Sequence, residues 1–196
     1  MKLLKILIAV VGMLGATGAF AVELGDDGLH KQPWFSDTFL DMAEDLADAT
    51  AQGKDLLVLF EQKGCPYCKE LHEVNFANTD ITDYIQAHYL VIQINMWGDR
   101  EVTDFDGETL SEKDLANKWQ VQFTPTTIMF TQDDDAPMDR AAAEAFRLPG
   151  YLKQFHYASS LEYVTSDDYK TLPFQRFVQA RADRLTEQGI EVDLWN

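Results

Sequence analysis

Asp55-Leu56-Leu57-Val58-Leu59-Phe60, followed after a short loop by Cys65-Pro66-Tyr67-Cys68, is the stretch on which the fold turns. A short apolar run of this kind reads as a central strand buried on both faces. Pro66 suits a first helical position, where a missing N–H costs little. The stretch therefore reads as strand, loop over Glu61 to Gly64, and a helix running to about Asn75. The two cysteines are the chain's only ones. On the first turn of a helix, C-x-x-C brings two sulfurs within disulfide reach, and the helix N-terminus favours the thiolate of Cys65. A redox dithiol is the leading reading, with a buried structural disulfide or half a zinc site as alternatives. No second C-x-x-C exists to complete a zinc site, and Lys69 after Cys68 breaks the haem-attachment pattern.

Working outward, Phe39, Met42, Ala43, Leu46 and Ala47 repeat at helical spacing and predict a helix over 37–51. A further helix is expected from Thr79 to Gln86, then a strand over Tyr89 to Asn95. The polar stretch from Met96 to Leu110 reads as a loop or small hairpin. Ser111 starts a helix with Glu112 and Asp114 in its first turn and Leu115, Ala116 and Trp119 facing inward. Thr126 to Phe130 and Glu144 to Leu148 read as a strand hairpin around a solvated Asp133-Asp134-Asp135 turn, closed by Pro149-Gly150. Two helices follow, about 152–164 and 173–188. His72, four residues beyond Cys68, falls on the same helix face, and the expectation is a helix-surface histidine, with no metal. Trp34, Trp97 and Trp119 read as core or rim residues.

At the N-terminus, Lys2 and Lys5 precede an apolar run from Ile6 to about Gly15 and then Ala19-Phe20-Ala21. The run is too short to span a bilayer and ends in small residues, so residues 1–21 read as a cleaved signal peptide. That places the mature chain in an oxidising compartment, the bacterial periplasm. Residues 22–36, rich in Gly and Asp, read as irregular, and 37–196 as one domain with a C-terminal helical extension. A formal net charge of −17 repels polyanions, so neither nucleic acid nor an anionic membrane surface is an expected partner.

The order of these elements, the CPYC motif, Phe123-Thr124-Pro125-Thr126 before a strand and Gly150 after the hairpin resemble the thioredoxin-like superfamily. Phe60 to His72, Asp99 to Gly107 and Arg147-Leu148-Pro149-Gly150-Tyr151 are similar to the SoxW-like thioredoxin-related proteins of bacteria. The resemblance implies an α/β thioredoxin-like fold, a central mixed β-sheet flanked by helices with an extra C-terminal helix. It implies Cys65 as the attacking thiolate and Cys68 as the resolving thiol, with Pro66 and Tyr67 between them in supporting places. Lys63 and Lys69 flank the motif and are expected either to lower the pKa of Cys65 or, as exposed lysines, to do nothing specific. Thr124-Pro125 matches the cis-proline loop that faces the dithiol and receives an extended substrate segment. One departure stands out: the strand position six residues before the first cysteine, often a buried carboxylate in this superfamily, is Leu59. Strand alternation points Glu61 to the same side as Leu59, so Glu61 either substitutes for that carboxylate or is a loop carboxylate in water.

The resemblance also implies a monomeric thiol–disulfide oxidoreductase without a cofactor beyond its own disulfide. Met96 to Leu110 cannot supply the helical insertion of strong periplasmic oxidants, and the segment before residue 50 is too short for an isomerase dimerisation domain. A protein-disulfide reductase, itself reduced by a membrane-bound thiol donor, is the expectation, with Sox sulfur-carrier proteins as clients. An oxidant or isomerase, or a non-catalytic module binding a metal or partner through the CPYC face, are the other readings.

Overall fold

The computed structural model describes residues 23–132 and 139–192. The expected signal peptide and the Asp133 to Asp135 turn lie outside the described residues. The first described element is a small antiparallel hairpin, β1 (Glu23–Leu24) and β2 (His30–Lys31). The expectation of an irregular segment over 22–36 is corrected here. Gly28, at φ +76°, takes the left-handed turn that lets β2 fold back.

Helix α1 (Met42–Ala51) starts later than its periodicity predicts. Asp41 caps it by accepting from the N–H groups of Ala43 and Glu44, and Leu40 at φ +59° breaks any earlier turn. Phe39, expected on the helix's apolar face, is instead almost fully exposed. Strand β3 (Asp55–Glu61) then leads through the loop to α2 (Pro66–Glu70), which continues as a π-helical turn over Leu71–Asn75. Helix α3 (Thr79–His88), capped by Asn78, feeds β4 (Tyr89–Asn95).

The stretch after β4 is a hairpin, β5 (Glu101–Thr103) and β6 (Thr109–Ser111), and Ser111 caps α4 (Glu112–Lys118). Strand β7 (Thr126–Phe130) pairs with β8 (Glu144–Pro149), which is entered from a single helical turn, α5 (Arg140–Ala143). Helix α6 (Gln154–Thr165), a 3₁₀ turn (Asp168–Lys170) and α7 (Phe174–Glu187) complete the described chain. Phe177 of α7 packs its ring against Tyr163 of α6, and Arg181 and Arg184 both reach Glu162.

The central sheet runs β4-β3-β7-β8, with β3 parallel to β4 and antiparallel to β7. Alternation along β3 divides the core. Leu56, Val58 and Phe60 join α1 and α4 through Met42, Leu46, Leu115 and Trp119. Leu57 and Leu59 face the other layer with Leu71, Ile85, Leu148 and Leu161. Burial of each such side chain contributes roughly 1.5–3 kcal/mol. The next residue on that second face is Glu61, so the pleat drives a carboxylate into the helix layer under α2. Among the described residues no helix is long and apolar enough to cross a membrane.

Candidate active site

The end of β3 and the first turn of α2 build the site. Gly64, at φ +73°, turns the chain so that Cys65 becomes the N-cap of α2 and Pro66 its first helical residue. The Cys65 Sγ accepts the N–H of Cys68 at 3.0 Å. The two cysteines are joined as a disulfide with Cα atoms 5.2 Å apart. Both are buried, Cys65 at 7% exposure and Cys68 at 3%, so the first sulfur is the better placed to meet a partner.

The loop before β7 covers the disulfide. The Thr124–Pro125 bond is cis, and both the carbonyl oxygen and the hydroxyl of Thr124 lie 3.4 Å from Cys65 Sγ. Gly150 donates its N–H to the Pro125 carbonyl at 2.7 Å, fixing this loop to the end of β8. Around the sulfurs stand exposed aromatic rings: Tyr67, stacked at 6.4 Å on Tyr151, Phe123, and Trp97, which donates its indole N–H to Gln62 at 2.7 Å. Lys63 lays its aliphatic stem against Gly28 of the hairpin, and Lys69 pairs loosely with Glu73 at 3.6 Å.

Behind the disulfide lies a buried polar network. Glu61 is fully buried, in the layer under α2 and not in a water-exposed loop. His72, expected on the helix surface, is also buried, at 1% exposure. The physical reason is a partner: His72 Nε2 lies 3.2 Å from the Glu61 carboxylate, with hydrogen-bond geometry to Oε2. Its ring is packed edge-on by Phe76 at 5.1 Å, His30 at 5.4 Å and Phe35 at 5.7 Å. The second partner of Glu61 Oε2 is the amide of Gln93, from β4. Glu61 Oε1 accepts no hydrogen bond among the described residues.

A cavity of about 350 Å³ opens between the β1–β2 hairpin and the CPYC loop. Its walls include Leu24, His30, Glu61, Lys63, Cys65 and Cys68. Cys68 and Glu61 therefore line the same cavity. Burial, and then the neighbouring His72, push the His30 ring below the ordinary histidine range, favouring its neutral form there. Among the described residues no group of three His, Cys, Asp or Glu side chains is placed to hold a metal.

Sequence reasoning missed His30, Gln32 and Gln93. Only Gln93 carried a signal, as the lone polar residue inside the run Tyr89 to Ile94. The structure brings Cys65, Pro66, Cys68, Thr124, Pro125 and Glu61 together, and leaves Tyr67 and Lys63 on the rim.

The model of a thioredoxin-like domain matches residues 42–165. A thioredoxin-fold protein from Helicobacter pylori superposes with a TM-score of 0.50 at 22% identity, covering 76% of this chain and 98% of that one. A thioredoxin from Thermus thermophilus gives 0.49 at 23% identity, over 64% and 84%. The C-terminal domain of Neisseria meningitidis DsbD gives 0.41 at 15% identity, over 65% and 96%. No curated protein matches the chain at a significant level.

Proposed function

Because the chain belongs to the thioredoxin-like domain family, we propose that it is a periplasmic thiol–disulfide oxidoreductase that reduces protein disulfides. The observation that carries this is Cys65 at the head of α2, its sulfur accepting the Cys68 N–H and lying beside Thr124. Those donors are the groups that stabilise a thiolate.

In the reduced protein the Cys65 thiolate attacks one sulfur of a substrate disulfide, and the other substrate sulfur leaves as a thiolate. Cys68 then loses its proton and attacks Cys65 Sγ. The Cys65–substrate bond breaks, the second substrate thiolate departs, and the Cys65–Cys68 disulfide remains. Two electrons have passed from the dithiol to the substrate. The proton of Cys68 goes to Glu61, whose Oε1 accepts no hydrogen bond and which lines the same cavity as Cys68. The cycle closes when a membrane-bound thiol donor reduces the disulfide again.

The reductant direction is supported by the stretch between β4 and α4, which holds only the β5–β6 hairpin. The periplasmic setting rests on the sequence of residues 1–21, and Sox sulfur-carrier clients on the SoxW-like stretches. The test is insulin reduction with dithiothreitol, together with the equilibrium potential of the cysteine pair. Activity lost in Cys65→Ser and a potential near about −270 mV support a reductase. A potential near about −120 to −180 mV would make the protein an oxidant or isomerase. Activity surviving in Cys65→Ser would remove the motif from the chemistry.

A further inference from the structure

The matched domain begins at residue 42, yet one wall of the buried network comes from before it. Lys31 donates from Nζ to Gln93 Oε1 at 2.7 Å and to Asp27 at 2.7 Å. An ammonium can only donate, so it dictates which end of the Gln93 amide faces it. The amide nitrogen of Gln93 must then point the other way, where it donates to the His30 carbonyl at 2.7 Å and to Glu61 Oε2. A second contact acts on the ring: Gln32 Nε2 lies 3.1 Å from His72 Nδ1. An amide nitrogen donates, so Nδ1 carries the lone pair and the single ring proton sits on Nε2, aimed at Glu61. Both hydrogen bonds fall on Oε2; Oε1 lies 3.2 Å from the same Nε2 but accepts no hydrogen bond, and Glu61 lines the cavity with Cys68.

We infer that Lys31, Gln32 and Gln93 are positioning residues of the active site: they hold His72 as the neutral Nε2–H tautomer and keep one oxygen of Glu61 available to the proton of Cys68. The inference rests on the reading of Cys65–Cys68 as a working dithiol. It assigns a role in the chemistry to a hairpin outside the family domain. Turning the Gln32 amide over would present an oxygen to Nδ1 and favour a proton on that nitrogen instead. The other ionisable groups around the pair are His30 on the hairpin, Tyr157 of α6, the two cysteines, and Lys63 and Lys69 at the cavity rim. Burial, with the Glu61 charge adding to it, keeps the Tyr157 hydroxyl protonated.

The test uses the full mature chain. Long-range proton–nitrogen correlation spectra of the reduced protein at pH 7 report which His72 nitrogen is protonated. Rapid-quench mass spectrometry with insulin separates the first attack by Cys65 from resolution by Cys68. The expected result is an Nε2–H neutral ring, and in Gln32→Leu and Lys31→Met a resolving step about tenfold slower, the scale of outer-shell losses at other sites. The rate–pH profile of that step should move as well, with first attack within about twofold of wild type. An imidazolium or an Nδ1–H ring in the wild type overturns the inference, as does resolution at the wild-type rate in either variant that folds. Failure of the wild type to reduce insulin would remove the enzymatic reading instead, and the ring spectrum reports on the tautomer independently of it.

Discussion

Thr124 meets Cys65 twice, through its carbonyl oxygen and through its hydroxyl, each 3.4 Å from the sulfur. The two contacts favour different states. A thiol donates to the carbonyl, whereas a thiolate accepts from the hydroxyl, so the side chain alone supports the reactive form. Thr124→Val keeps the shape and removes that donor. At about 1 kcal/mol for the lost hydrogen bond, alkylation of reduced Cys65 by iodoacetamide at pH 7 should slow about fivefold. An unchanged rate would show that the Cys68 N–H and the helix N-terminus stabilise the thiolate without it.

Glu61→Gln retains the size and the buried position of the side chain and removes its capacity to take a proton. Resolution of the mixed disulfide at pH 7 should fall about 100-fold, within the usual span of general-base effects. The attack by Cys65 should be nearly untouched. Quench-flow trapping of the intermediate measures both, and an intermediate that never accumulates would argue against the carboxylate.

Folding stability should improve on mild acidification. Burial pushes the Asp45 carboxyl up to about 6, against a hydrogen bond from Thr38 and with repulsion from Asp41, Asp48 and Glu44 adding to it. Burial and then Asp167 push Asp55 up to about 6 as well, against the opposing pull of Lys170. For carboxyls raised in the folded state, the stabilising contribution is full below the unfolded value near 3.8 and is lost as pH rises through about 6. Urea unfolding should therefore show greater stability at pH 4.5 than at 7.5 from these two groups. Asp45→Asn should gain about 1–2 kcal/mol at pH 7 and almost nothing near pH 4.

The loop bearing Trp97 is held by a buried carboxylate. Glu112, at 2% exposure, accepts from the N–H of Asn95 at 2.8 Å and from the Arg100 guanidinium at 2.7 Å. Arg100→Ala leaves that carboxylate short of its charged partner and should cost about 2 kcal/mol in chemical denaturation. A Cβ at Gly98 would run into Glu112 Oε2, so Gly98→Ala should displace the same carboxylate and destabilise by a similar amount. A Gly98→Ala protein as stable as wild type would show that the loop yields freely.

How far the sequence could be read depends on what each residue packs against. Strand Asp55 to Phe60 was legible because a central strand buries both faces and reads as an apolar run, and Tyr89 to Asn95 and Thr126 to Phe130 because β-branched and apolar residues dominate them. Ser111 announced its helix through its cap. His72 was not legible, because its burial depends on Glu61, a residue of another element, and hydropathy marks two polar side chains as surface. Phe39 failed in the opposite sense: its spacing suits a helix, but Asp41 caps the helix beyond it. The β1–β2 hairpin is too short and too rich in Gly and Asp to show a strand alternation. What gives it meaning is Gln93, more than sixty residues away.

The same hairpin bears on how the redox unit could be moved between proteins. A segment cut at residue 42, where family similarity begins, would carry every strand of the central sheet, both cysteines and the Thr124–Pro125 loop. It would nevertheless leave behind Lys31 and Gln32, and with them the groups that orient Gln93 and His72. Transplanted at that boundary, the module would look whole in sequence and exchange disulfides with its proton relay mistuned. The portable unit of this chain is therefore longer than its domain.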